Sequence, residues 1–203
     1  MDEDALLLAK VAAGNRDVFN QIIKKYQARL LNFLYRLLGD KHLAEEVAQE
    51  TFLRIYLKAA SYLPQSKFST YLYQVARNIA FNTMRHRKFV AFFRDPFQTD
   101  KVYQVRTYQE QEDYRQYLKE VVQHFLQKLP ETQKTALVLA KYEGLPYEEI
   151  AAVMKTSVPA VKSLVHRATE TLRKKLSFLQ QKKADRNLSA GKCVSMAEGK
   201  NHG

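Results

Sequence analysis

The sequence predicts an all-α protein built as two helical domains joined by a flexible linker, and three observations carry that reading. Apolar residues recur at spacings of three and four in two separate stretches, the period of a helix with one buried face. Only six glycines and five prolines punctuate 203 residues, too few for the turn-dense all-β architectures. Charge falls into blocks: residues 1–88 carry a net +6 and 119–177 a net +4, whereas 89–118 between them carry −1. We read 89–118 as a linker between basic domains at 1–88 and 119–178. A polar, basic tail at 179–203 is expected to be disordered.

Each element follows in order. Phe19, Ile22, Ile23, Tyr26, Leu30, Phe33, Leu34, Leu37 and Leu38 form one helical stripe, stopped by Gly39 and Asp40. A second helix runs from Leu43 to about Ala59, with Val47, Thr51, Phe52, Ile55 and Tyr56 as its buried face. Leu63 and Pro64 open a loop, and Ser69 and Thr70 cap a third helix ending near Arg87. Long apolar faces and short connections pack these helices as a bundle.

Residues 89–118 hold Phe89, Phe92, Phe93, Phe97, Tyr103, Tyr108, Tyr114 and Tyr117 without a steady period before about Tyr108. Two readings stay open: these aromatics dock on the chain's own domains, or they lie in a partner's groove. Helical spacing returns with Leu118, Val121, Val122, Phe125, Leu126 and Leu129, and Pro130 starts the next helix. Gly144-Leu145-Pro146 breaks it. A short helix over Tyr147–Met154, a turn at Lys155-Thr156-Ser157 and a long helix from Val158 to about Phe178 complete the second domain.

Composition excludes several functions. A net charge of +12 and a pI near 9.7 point to a polyanionic partner. The single cysteine, Cys193, rules out a disulfide framework and a cysteine-based zinc site. His42 beside Glu45 and Glu46 is too small a cluster to complete a metal site. We expect no metal and no cofactor. The five histidines are scattered and no glycine-rich phosphate loop occurs, so no enzyme is expected. No apolar run approaches the roughly 18–20 residues of a bilayer span, and the start Met1-Asp2-Glu3-Asp4 is acidic where a signal peptide is basic. A cytoplasmic protein without membrane insertion is expected.

The short helix, tight turn and longer helix of residues 147–178 form a helix-turn-helix pattern. Ile150, Ala151 and Val153 fill the angle between the helices. Ser157 caps the second helix, and Pro159 sits in its first turn, where a missing N–H loses nothing. Val161, Leu164 or Val165, and Ala168 bury one face. Lys162, Ser163, His166 and Arg167 are left for a DNA major groove. Lys155, Arg173, Lys174 and Lys175 suit phosphates, which position a protein without reading sequence.

Two segments then carry a family resemblance. LPETQKTALVLAKYEGLPYEEIAAVMKTSVPAVKSLVHRATETLRKKL resembles region 4 of the extracytoplasmic-function (ECF) sigma factors, the small sigma subunits of bacterial RNA polymerase. AEEVAQETFLRIY followed by FSTYLYQVARNIAFNTMRHR resembles their region 2. The two matches stand in the family's order and cover most of residues 5–178.

The resemblance assigns work to positions. It implies that the helix Ala44–Lys58 docks on core polymerase through Glu46, Gln49, Glu50, Arg54 and Leu57. It implies that the loop Leu63–Ser69 and the helix after it melt the −10 element and accept an unstacked base, with Phe68, Thr70, Tyr71, Tyr73, Gln74, Arg77, Asn78 and Asn82 as candidates. Stacking there stabilises an extruded base by about 1–3 kcal/mol. Tyr71 stands where the family usually has Trp. Arg85, Arg87 and Lys88 form a basic patch for phosphates.

At the −35 element the resemblance implies contacts from Pro159, Ala160, Lys162, Ser163, His166 and Arg167, beside the phosphate candidates Lys155, Arg173 and Lys174. Leu164 and Thr169 occupy positions where the family commonly carries arginine, and Pro146 replaces a frequent Ser. The partners implied are core RNA polymerase, promoter DNA and an anti-sigma factor. The alternative from another class is a stand-alone helix-turn-helix regulator that binds duplex DNA without joining polymerase.

Overall fold

A computed structural model describes residues 2–63, 66–94 and 111–197, with side chains described for 2–63, 66–87 and 117–177. Eight helices fill these residues, and no strand occurs among them.

The first helix, α1 (Glu3–Ala12), was not anticipated from the sequence. Its logic is local: the Asp2 carboxylate accepts the Asp4 N–H at 3.3 Å, and Glu3 and Asp4 place negative charge at the positive helix end. Ala5, Leu8 and Val11 form its buried face. Asp4 is itself buried, held by Lys25 at 2.7 Å and by the Tyr26 hydroxyl at 2.6 Å. A 3-10 turn at Arg16–Val18 leads into α2 (Phe19–Leu38), which buries the expected stripe.

Gly39 ends α2 in the left-handed conformation (φ 75°), donating its N–H to the Tyr35 carbonyl at 2.8 Å. Asp40 does not help to stop this helix. It is the N-cap of α3 (Lys41–Leu57), accepting the Leu43 N–H at 3.1 Å, so α3 begins two residues before the expected Leu43. Val47, Thr51, Phe52 and Ile55 are buried as expected.

Helix α4 (Phe68–Arg94) outruns its expected end near Arg87. Nothing in Lys88-Phe89-Val90-Ala91-Phe92-Phe93-Arg94 breaks a helix, and the next breaker is Pro96, which disfavours helical backbone at Asp95. Ser69 and Thr70 therefore lie inside the first turn and are not caps. The Phe68 N–H is taken instead by the Asp2 carboxylate, 66 residues away. Of the aromatics between 89 and 116, all the side chains lie outside the described residues.

In the second half, α5 (Gln111–Gln127), α6 (Glu131–Lys141), α7 (Tyr147–Met154) and α8 (Val158–Ala197) follow. The tail expected to be disordered is helical to Ala197. Its residues 179–190 contain no Gly or Pro and are mostly Leu, Gln, Lys and Ala, all good helix formers.

One apolar cluster runs through both halves, from Leu8 to Ala168. Helix α2 is its centre: α1, α3 and α4 pack against it, and so do α5 and α6, while α7 lies on α4. The halves are thus in direct contact, a relation the linker reading of the sequence did not contain.

Candidate nucleic-acid interface

The helix-turn-helix forms as read. Lys155 ends α7 in the left-handed region (φ 52°), and Thr156 donates its N–H to the Ala151 carbonyl at 3.0 Å. Ser157 Oγ then accepts the Ala160 N–H at 3.4 Å, opening α8. Ile150, Ala151 and Val153 meet Val161, Val165 and Ala168 in the buried angle. Val165, not Leu164, is the fully buried choice. Leu164 is half-buried against the core, and Thr169 turns its hydroxyl onto the Val165 carbonyl at 2.8 Å. Pro146, the N-cap of α7, gives no side-chain cap bond.

The opposite face of α8 carries Lys162, Ser163, His166 and Arg167, all exposed. Arg167 is steadied by Ser163, donating to its Oγ at 3.0 Å, so the guanidinium leaves the helix in a set direction. Pro159 is exposed and Ala160 half-buried at the head of the same face. Lys155 and Lys174 are exposed, and Arg173 pairs with Glu170 at 2.9 Å.

The candidates on α4 divide. Phe68, Thr70 and Tyr73 are buried and are not presented to DNA. Phe68 packs its ring on Tyr26 (5.4 Å between centroids) and Tyr73 packs on Phe33 (5.0 Å). The Tyr73 hydroxyl donates to the Glu143 carboxylate at 2.6 Å. Burial, then that bond, pushes the Tyr73 hydroxyl well above the usual tyrosine range. The physical reason is that α4 is enclosed by α2, α3 and α7, and the last of these lies some seventy residues along the chain.

Tyr71 and Gln74 do face a recess. Together with Lys58, Ser61, Tyr62, Leu63 and Ser66 they line a pocket of about 400 Å³. Tyr62 and Tyr71 form an aromatic wall, with centroids 4.9 Å apart and planes tilted by 40°. The Tyr62 hydroxyl is buried and meets no hydrogen-bond partner among the described residues. Burial raises the pKa of both hydroxyls, so both stay neutral donors. Sequence reasoning missed Tyr62; its one signal was an aromatic residue next to the Leu63-Pro64 loop.

Farther along α4, Arg77 is half-buried with its guanidinium over the Phe81 ring at 4.6 Å, and its Nε lacks a partner. Burial lowers its pKa, with Arg85 adding to the effect. Asn78, Asn82, Arg85 and Arg87 are exposed. Arg87 is partly committed, donating to Asp40 at 3.1 Å. Lys88 belongs to α4, and its side chain lies outside the described residues.

The outer face of α3 shows Glu46, Gln49, Arg54 and Leu57 exposed and Glu50 half-exposed. Glu50 and Arg54 pair at 2.7 Å. Leu53 and Leu57 stand 53% and 69% exposed beside them, an apolar–acidic strip on a helix whose other face is core. His42 approaches Glu45 at 4.0 Å. Among the described residues no group of three His, Cys, Asp or Glu is placed to hold a metal, and no helix is long and apolar enough to cross a membrane.

Known proteins resemble this arrangement. The family description Sigma-70 region 2 matches residues 22–90, and Sigma-70, region 4 matches residues 119–172. The RNA polymerase sigma-H factor of Pseudomonas aeruginosa is 33% identical over 185 residues, covering 88% of this chain and 96% of the relative. The ECF RNA polymerase sigma factor SigW of Bacillus subtilis is 31% identical over 179 residues, covering 85% of this chain and 96% of the relative. Among solved structures, CnrH in complex with the cytosolic domain of CnrY superposes with a TM-score of 0.67 at 23% identity, over 87% of this chain and 98% of that one. The Bartonella quintana sigma factor RpoE, in complex with the anti-sigma factor NepR, gives 0.64 at 24% identity, over 78% and 96%.

Proposed function

Because the chain belongs to the ECF sigma factors of bacterial RNA polymerase, we propose that it divides promoter opening among three faces: α3 docks, the pocket beside α4 takes a base, and α8 reads duplex. The chain binds core polymerase, recognises −35 and −10 elements and promotes DNA melting for transcription initiation. It works by binding, and the compartment proposed is the bacterial cytoplasm, where polymerase and promoter DNA are found.

The domain limits proposed are those of the charge blocks: 1–88 for docking and melting, 119–178 for −35 recognition, with 89–118 connecting them. Docking falls to Glu46, Gln49, Glu50, Arg54 and Leu57, with Leu53 supplying further apolar area. Melting exchanges base stacking in the duplex for stacking on the Tyr62–Tyr71 wall, helped by Gln74. Asn78, Asn82, Arg85 and Arg87 follow the strand and its phosphates. Lys162, Ser163, His166 and Arg167 enter the major groove upstream. Two modest DNA affinities joined on one polymerase reinforce each other through effective concentration.

The observation that carries this reading is that one chain holds both an exposed duplex-reading face on α8 and an aromatic-walled pocket next to α4 (about 400 Å³). A stand-alone duplex binder needs only the first. An anti-sigma partner is also proposed, since the structurally similar Bartonella quintana sigma factor RpoE has been solved with one. Transcription in vitro with sigma-free core polymerase on a promoter library is the test. Start sites that appear with the chain and vanish with Glu50→Lys support the reading. A chain that shifts specific duplex DNA but yields no start sites defeats it.

A further inference from the structure

Asp2 holds the starts of two helices. Its Oδ1 accepts the Asp4 N–H at 3.3 Å at the head of α1, and its Oδ2 accepts the Phe68 N–H at the head of α4. The first N–H groups of a helix have no partner inside it, and the helix dipole favours negative charge beside them. One carboxylate thus ties together two positive helix ends that lie 66 residues apart in the chain.

Helix α1 is itself fixed in place. Its buried Asp4 accepts from Lys25 Nζ at 2.7 Å and from the Tyr26 hydroxyl at 2.6 Å, both on α2. The helix also packs on the 3-10 turn Ala59–Ser61, which leads straight into Tyr62. A run of ring contacts then connects α2 with the aromatic wall. Ring centroids lie 5.4 Å apart from Tyr26 to Phe68, 6.4 Å from Phe68 to Tyr62 and 4.9 Å from Tyr62 to Tyr71. Asp2 lies close enough to act on Tyr62 directly: burial first, and then that carboxylate, raise the pKa of the Tyr62 hydroxyl.

The pocket assigned to the extruded base draws its walls from two places in the chain. Lys58, Ser61, Tyr62 and Leu63 come before the loop, and Tyr71 and Gln74 come after it on α4. Residues 2–12 lie ahead of the stretch matched to region 2, yet they meet both walls. The body of α1 rests on the turn that carries Ser61, and its cap residue holds the first residue of α4. A gap of about 0.5–1 Å already forfeits a quarter to a half of the attraction between stacked surfaces, so the spacing of the walls decides how well a base is held. Resting on the sigma-factor reading, we propose that Asp2 is a positioning residue for promoter melting: through α1 it sets the two walls of the base pocket against each other.

The test uses the full chain on core polymerase and a single-stranded −10 oligonucleotide selected from the promoter library. Asp2→Ala weakens binding of that strand by about fivefold or more, the scale of a lost helix cap. Asp2→Asn keeps an oxygen that accepts an N–H and recovers most of the loss. Binding to core polymerase and to −35 duplex stays at the parent's value in both variants. Parent-like strand binding by Asp2→Ala overturns the proposal. Equal losses in strand, core and −35 binding also overturn it, since they mark a general loosening of the fold. If the parent itself binds no strand, the sigma-factor reading falls, and the positioning role is then judged by amide exchange in the free chain. There Asp2→Ala speeds exchange at Phe68 and across residues 59–63 by about fivefold or more, with α6 unchanged. Parent-like exchange at those residues overturns it.

Discussion

The two helices assigned to DNA, α4 and α8, are built to opposite specifications. The proposed reading face of α8 has no structural duty: Lys162, Ser163, His166 and Arg167 are exposed, and the fold stands on Val161, Val165 and Ala168 behind them. Helix α4 has little such separation. Phe68, Thr70, Leu72, Tyr73 and Ala76 are core, and only Tyr71, Gln74 and the polar positions farther along are left for a partner. The difference teaches what each task demands. Reading a duplex needs polar groups held in the right direction. Holding an extruded base needs a rigid aromatic wall, and rigidity comes from burying most of the helix that carries it.

Substitutions sharpen or break this contrast. Phe68→Ala empties a fully buried site and lowers unfolding stability by about 3–5 kcal/mol, whereas Lys162→Ala changes it by no more than about 0.5 kcal/mol. Urea denaturation of the two variants measures this, and similar losses would erase the distinction. Arg167→Ala leaves stability intact but weakens promoter binding by about 1–3 kcal/mol and relaxes preference at one −35 position, readable by competition among −35 variants.

Smaller effects lie at the helix ends. Asp40→Ala removes the α3 cap and the Arg87 ion pair, costing about 1 kcal/mol at neutral pH. The Leu43 N–H, then Arg87, hold the Asp40 carboxyl below its ordinary value of 3.8. A depressed carboxylate contributes stability that is present above that value and is lost as pH falls through the folded one. The gap between parent and Asp40→Ala therefore closes in acid, as denaturation at pH 7 and below pH 3.8 will show. Lys155→Gly relieves left-handed backbone at φ 52° and adds about 0.5–1 kcal/mol of stability. The same change removes one cation and flattens the salt dependence of DNA binding by about one unit of slope.

What was legible in the sequence was what local contacts decide. The helix-turn-helix could be placed down to the Ser157 cap because its core residues lie within twenty positions of one another. The buried face of α3 was equally clear, since its period alone picks out Val47, Thr51, Phe52 and Ile55; Glu46, Gln49 and Leu57 came from the family resemblance. Some failures were local, as with α1, the Asp40 cap and the helical tail; the others depended on distant partners. Tyr73 and Thr70 looked available because α7, which helps to cover their helix, comes some seventy residues later. Asp2 caps both α1 and α4, and no local pattern announces a cap supplied from 66 residues away. Tyr62 gains meaning only once Tyr71 is beside it. The bonds that Gln123, Gln127 and Lys134 donate to the Tyr35, Arg36 and Leu37 carbonyls at the end of α2 were likewise unreadable, for these residues look like an ordinary solvated face.

The most direct measurement places 2-aminopurine at the −10 base to be extruded and follows its fluorescence in the complete polymerase complex. The account predicts a rise with the parent chain and with Arg167→Ala once DNA is saturating. With Tyr71→Ala the rise should fall by about 5- to 150-fold in the open-complex equilibrium, the equivalent of one lost base stack at roughly 1–3 kcal/mol, while binding of −35 duplex stays unchanged. Equal unstacking by Tyr71→Ala and the parent would contradict the assignment of melting to the Tyr62–Tyr71 pocket.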